Sequence, residues 1–267
     1  MSDSLTPNKT LSIRISTDGF CFCSYTPTDP ASLQYFSCGT DDSITLAANL
    51  SKAMEECPFI NTGASHEIKA IIETVSYTML PSDYDEREEY TAYYRNCFPK
   101  SEDDVEIVAN KLHAQGYTVI FPVNKDVAAI LQQMGSVSYF TPASILMGYI
   151  SNAPFEEKKY MLLHLEKEQM LIIAVNEGKV EFANSFEASN KEDLIFYMLS
   201  VWKELGFSQT EDTVYLCGDK GIEEIQLFVS RFIKNRRRMN PNELFPSSLL
   251  NKKQGVPFDM QALILCE

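Results

Sequence analysis

Few residues in this 267-residue chain have the type and spacing to do chemistry. Cys21 and Cys23 stand two apart, which on a strand puts both thiols on one face, but no further ligand lies at metal-binding spacing and packing explains them. Cys38, Cys57, Cys97, Cys217 and Cys266 add no C-x-x-C pair and no Cys/His spacing. We therefore expect reduced, mostly structural thiols and no metal site. A histidine's ordinary pKa suits general-base work, and His164 stands among apolar neighbours. No nucleophile or second histidine accompanies it at a recognisable spacing, so it reads as a hydrogen-bonded structural residue. His66 and His113 fall in expected loops.

Three further groups have a sharp reading beside a plain one. Asp18-Gly19 has the composition of a phosphate loop but also of an ordinary hairpin turn, and its separation from the first strand by Ser16 and Thr17 favours the turn. Arg236-Arg237-Arg238 is the best basic candidate for contact with an acidic partner, although three cations at a helix C-terminus also complement the helix dipole, which is the reading we favour. Tyr84, Tyr90, Tyr93 and Tyr94 lie among Asp83, Asp85, Glu86, Glu88 and Glu89. That mixture suits a protein-interaction surface and equally a helix whose tyrosines face a sheet. No G-x-S-x-G, Walker loop, HExxH or GxGxxG occurs, which disfavours hydrolases, P-loop enzymes, zinc proteases and dinucleotide enzymes.

Composition narrows the partners. With 23 Lys and Arg against 37 Asp and Glu, the net charge is −14, which disfavours extended contact with nucleic acid phosphates or an anionic membrane. The segment Met1 to Leu11 is polar, and no apolar run approaches the roughly 18 residues that span a bilayer, so a cytoplasmic protein without membrane insertion is expected. At 45% apolar residues and this length, one large domain or two lobes can be built.

The elements that must position these residues follow from periodicity. Leu11 to Ile15 and Phe20 to Tyr25 alternate around Asp18-Gly19, Leu33 to Cys38 adds a third strand, and Ser43 to Cys57 has helical spacing with Asp42 or Ser43 as its cap. Ile68 to Val75 reads as a buried strand and Tyr84 to Cys97 as a surface helix ended by Pro99. Val105 to Leu112 and Tyr117 to Val123 form a hairpin, with a helix as the alternative for the first arm. Asn124 caps a helix from Lys125 to Met134, Val137 to Phe140 is a short strand, and Pro142 opens a helix to about Ser151. The lobes divide here, at 152/153. Beyond it, Lys159 to Leu165, Met170 to Val175 and Lys179 to Phe186 are strands, Asp193 to Leu205 is a helix stopped by Gly206, Thr213 to Cys217 is a strand, and Ile222 to Asn235 is a helix. Both halves run β-β-β-α-β-α, a duplication in pattern without residue identity.

Two such halves, each opening with a hairpin, resemble the actin-like ATPase superfamily of actin, Hsp70-type chaperones and sugar kinases. The resemblance covers nearly the whole chain and implies a duplicated ribonuclease H-like α/β fold, two lobes each with a mixed sheet flanked by helices. Phe121 to Ser151 followed by Lys159 to Phe186 is similar to actin-like pilus-assembly and secretion-platform proteins. The chain as a whole resembles an uncharacterised bacterial family with this fold. Pro257 to Cys266 resembles the superfamily's closing helix, with a short strand as the alternative.

The superfamily's pattern implies an acidic residue and glycines after the first strand of each lobe, where they handle Mg²⁺ and phosphate. Here Arg14 and Ser16 stand in the first lobe where the acid and glycine are expected, and His164 and Glu166 in the second. Only Val214 to Gly221 keeps a strand-then-glycine form. The resemblance therefore implies a scaffold or assembly protein with degenerate phosphate loops, no bound cofactor and a protein partner. The alternative is a divergent switch or enzyme that binds ATP through Gly218, Asp219, Gly221 and Asp18, with Asp18, Glu166 or Asp219 taking over the Mg²⁺ work.

Overall fold

The computed structural model describes residues 9–26, 29–60, 66–100, 103–152, 155–218, 221–240, 244 and 255–265. The chain divides into two compact units: Met1–Lys111 with Tyr117–Pro142, and Leu112–Gly116 with Ala143–Glu267.

In the first unit, β1 (Lys9–Ile15) and β2 (Gly19–Thr26) form an antiparallel hairpin and β3 (Asp29–Gly39) continues it. β4 (His66–Ile72) and β8 (Val137–Phe140) add in parallel on the other side, giving the order β3-β2-β1-β4-β8. Alternation sends Leu11, Ile13, Phe20, Phe22, Ile68 and Ala70 to one face. There they pack with Leu50 and Ala53 of α1 (Leu46–Glu56) and Val127 and Leu131 of α3 (Lys125–Gln132). Asn124 caps α3 as its sequence suggests, accepting from the amides of Asp126 and Val127. The cap of α1 is Thr45 rather than Asp42 or Ser43. Asp41 instead accepts from the amide and hydroxyl of Ser43, closing a separate turn ahead of the helix.

A small sheet in the order β5-β7-β6, from β5 (Thr78–Pro81), β6 (Val105–Leu112) and β7 (Tyr117–Asn124), carries α2 (Tyr90–Cys97). The acidic tyrosine-rich segment is thus a helix only from Tyr90. Before it come two single 3-10 turns, Ser82–Tyr84 and Arg87–Glu89. Tyr90 and Tyr94 pack with Ile120 of β7 while Tyr84 is exposed, so most of these rings face the sheet.

The second unit repeats the order of the first: β11-β10-β9-β12-β13. β9 (Lys159–Leu165), β10 (Gln169–Asn176) and β11 (Lys179–Glu187) are antiparallel, and β12 (Thr213–Gly218) and β13 (Asn235–Arg238) are parallel additions. Glu177 and Gly178 both have positive φ, the signature of the tight turn between β10 and β11. One face, with Met161, Leu163, Val214 and Leu216, packs on α5 (Lys191–Glu204) and α6 (Ile222–Val229). α5 ends where Gly206 takes positive φ. The amides of Gly206 and Phe207 donate to the carbonyls of Lys203 and Trp202, and the Phe207 ring packs on Trp202.

The opposite face carries Tyr160, His164, Tyr215 and Cys217. Tyr149 of α4 (Pro142–Asn152), Phe155 and Phe258 of α7 (Phe258–Leu265) pack among its aromatic rings, and Phe258 lies near the His164 ring. The closing segment is thus a helix. The helix from Ile222, however, stops at Val229, and Arg236, Arg237 and Arg238 lie in the edge strand β13. They cannot complement a helix dipole there. Arg237 instead pairs with Glu157, Arg238 with Glu223, and Arg236 donates to the carbonyls of Ile233 and Lys234.

Candidate functional site

β1 and β9 are equivalent strands of the two repeats, seven residues each with the same burial pattern, and each opens at Lys. Their next turns also match: the Ser16 amide donates to the Gly19 carbonyl and the Glu166 amide to the Gln169 carbonyl. Arg14 and His164 therefore hold one structural position, and Ser16 and Glu166 the next on the same strand face.

In the first unit that position is filled by an ion pair. Arg14, 5% exposed, lies 3.3 Å from the Glu73 carboxylate, and the Glu73 amide donates to the Ile15 carbonyl. The turn beyond is closed by its own side chains. The Ser16 hydroxyl lies 2.7 Å from the Asp18 carboxylate and 2.8 Å from the Gly19 carbonyl, and Asp18 itself is exposed. Gly19 is required because a Cβ there would meet the Cys38 carbonyl at 2.6 Å.

In the second unit His164 and Glu166 leave the end of β9 on the face toward α7, with Nε2 and Oε1 3.2 Å apart. Asp259, in the first turn of α7 and fully buried, brings its carboxylate to them. The ligand atoms of the three side chains all lie within 4.8 Å of one another. Cys217 stands opposite His164 in the register, and its thiol is pushed well up, first by burial and then by the Glu166 and Asp259 carboxylates. Asp259 lies so far along the chain from His164 that no spacing rule joins them.

Gly218 ends β12 at φ 122, and a Cβ there would lie 2.8 Å from both the nitrogen and the carbonyl carbon of Leu165 and closer still to its oxygen. Gly221 is the N-cap of α6 at φ 83, with nothing near the place of a Cβ. Asp219 lies outside the described residues. Gly221 and Glu166 line one cleft of about 390 Å³ with Lys167, Lys191, Glu192 and Glu224, beside the starts of α5 and α6. Lys191 is already paired with Glu224 there. A second cleft, of about 590 Å³ in the first unit, is lined by Tyr94, Phe98, Pro99, Val105 and Pro122, with Thr74, Cys97 and Lys100 among its other walls.

A family model for proteins of unknown function, DUF3822, matches residues 2–235. The chain belongs to the DUF3822 family. No curated protein matches it. Among solved structures, a DUF3822 chain of this kind is similar to a Bacteroides thetaiotaomicron protein described as having an actin-like ATPase fold and unknown function. The two are 29% identical over 100% of both chains, with a TM-score of 0.83. A PilM–PilN type IV pilus biogenesis complex is 12% identical, with 96% of this chain and 97% of that one covered and a TM-score of 0.57. The cytoplasmic domain of EpsL, an inner membrane component of the type II secretion system of Vibrio cholerae, gives 7% identity, 79% and 82% coverage and a TM-score of 0.45. The actin-like ATPase fold inferred from the duplicated element order is thus the fold of this DUF3822 protein. Among the described residues no helix is long and apolar enough to cross a membrane.

Proposed function

We propose that this DUF3822 protein is an actin-like module that engages a protein partner, and that neither of its first-strand turns handles nucleotide phosphates. One observation carries the reading: the phosphate-loop position of the first unit is filled by the buried Arg14–Glu73 pair, followed by a turn whose polar groups bond to one another. The second unit agrees. Its cleft sets Glu192 and Glu224 against two lysines, one of them paired, while the Glu166 carboxylate turns to His164. Carboxylates in the first turn of α6 already take up the helix's positive end, where a phosphate would otherwise be favoured. The need for Gly218 comes from its approach to Leu165, so that glycine is no sign of a nucleotide.

The partner's seat in this reading is the cleft of the first unit, where Phe98, Pro99, Val105 and Pro122 stand beside Thr74, Ser76 and Lys100, a mixed lining that suits a short amphipathic segment of another chain. A protein complex described for the similar PilM–PilN structure is compatible with it. Calorimetric titration with a non-hydrolysable ATP analogue and Mg²⁺, sensitive to a Kd of about 100 μM (about −5.5 kcal/mol), is the test. No saturable heat is expected. One-site binding would overturn the proposal and make the chain a nucleotide switch. On the positive side, a photo-crosslinker attached to Cys97 should capture one partner, and Val105→Glu in the same cleft should abolish the capture.

A further inference from the structure

We propose that His164, Glu166 and Asp259 form a site for one divalent transition-metal ion that pins α7 to the end of β9. The three groups come from two elements that the fold, not local sequence, brings together. They are 1%, 12% and 0% exposed, so no loose surface cluster is involved. Metal–ligand bonds of about 2.0–2.2 Å put neighbouring ligand atoms about 3.0–3.4 Å apart and opposite ones about 4.2 Å apart. His164 Nε2 and Glu166 Oε1 are already at 3.2 Å, and the full set lies within 4.8 Å.

The donor chemistry selects the ion. An imidazole nitrogen with two carboxylate oxygens suits Zn²⁺, Mn²⁺ or Fe²⁺, whereas Mg²⁺ and Ca²⁺ take oxygen-only sets. A divalent cation also balances the two carboxylates while the imidazole stays neutral, the form in which it ligates. Asp259 is oriented by its own helix, since its Oδ1 accepts the Met260 amide at 2.7 Å and this fixes the carboxylate relative to α7. Because one ligand sits on α7 and two come from the end of β9, the ion joins the helix to the sheet. Its role is therefore structural, and it requires no hydrolytic activity.

The test uses the full chain after dialysis against a chelator. Co²⁺ should bind one per chain with visible absorption bands, Zn²⁺ should displace it, and Mg²⁺ should bind at least a hundredfold more weakly than Zn²⁺. Glu166→Gln and Asp259→Asn, which preserve side-chain size, should each weaken Co²⁺ binding at least tenfold while the circular dichroism spectrum stays native. Zn²⁺ should also slow hydrogen exchange at residues 258–265 in the parent chain and leave it unchanged in Glu166→Gln. Failure of the folded parent to bind Co²⁺ saturably would overturn the proposal, as would undiminished binding in both variants. In either case the three groups are a polar cluster that needs no ion. Mg²⁺ binding as tight as Zn²⁺ would overturn the assigned ligand class.

Discussion

Gly218→Ala isolates the crowding at the end of β12. At φ 122 the new Cβ would lie 2.8 Å from the nitrogen and carbonyl carbon of Leu165, against about 3.4 Å for ordinary contact, and the atoms it meets are backbone. Relief therefore requires β12 to part from β9 at the Gly218–Leu165 pair. Holding an L-residue in a glycine-only conformation costs about 1–3 kcal/mol and overpacking about 1–3 kcal/mol more, so the sum is about 2–6 kcal/mol. At this chain length that lowers the melting temperature by roughly 5–15 °C. Gly221→Ala is the matched control: its φ of 83 is equally unusual, but nothing stands near its Cβ, and only the conformational cost of about 1–2 kcal/mol remains. Urea unfolding followed through Trp202, the single tryptophan and buried in the same unit, reads both variants. Equal costs for the two, or a Gly218→Ala chain within about 1 kcal/mol of the parent, would refute the crowding argument. A corollary concerns nucleotide assays. Loss of a nucleotide signal in Gly218→Val reports on binding only if that chain is first shown to be folded.

Other perturbations have equally definite outcomes. Arg14→Ala leaves the largely buried Glu73 carboxylate without its guanidinium and should cost about 3–5 kcal/mol by urea unfolding, whereas the double change Arg14→Met with Glu73→Leu should recover most of that loss. Burial, and then the hydrogen bond to Asp85, push the Tyr90 hydroxyl up to about 12. The fold therefore holds a proton that the unfolded chain loses near pH 10, so stability falls as pH rises from 10 to 12. Tyr90→Phe should lose its part of that fall, at most about 2–3 kcal/mol, in unfolding curves at pH 9.5 and pH 12. Among the cysteines of the described residues, thiol labelling of the native protein followed by mass spectrometry should modify exposed Cys97 first. Cys23, buried with its thiol pushed up to about 12, and fully buried Cys217 should react only on unfolding; early labelling of either would contradict the packing described for both sheets.

The elements visible in the sequence are those whose pattern and packing agree. β1, β2 and β9 to β11 alternate or run apolar because a sheet face needs them to, and Asn124 and Gly206 mark the ends of helices by local hydrogen bonding alone. The hidden elements lack a local signature. Thr78–Pro81 is a four-residue strand ending in proline, and Asn235–Arg238 is a polar strand whose conformation comes from its parallel pairing with β12. The apparent helix from Ile222 to Asn235 has the right period, but tertiary pairing overrides it after Val229. His66 opens β4 rather than lying in a loop. At the candidate site, Arg14, Ser16, His164 and Glu166 could be read from the first-strand position. Asp259 could not, because its approach depends on where α7 docks, and a cluster that includes it is invisible to any rule of spacing.

The docking of α7 also sets an order of events during synthesis. All five strands of the second sheet have been made once Arg238 has left the ribosome, but the face bearing Tyr160, His164 and Tyr215 still lacks α7 and its Phe258. Until that helix emerges, a nascent sheet shows aromatic surface that other chains can bind. A stop codon between residues 239 and 257 should therefore give an aggregating product even though all five strands of that sheet are present.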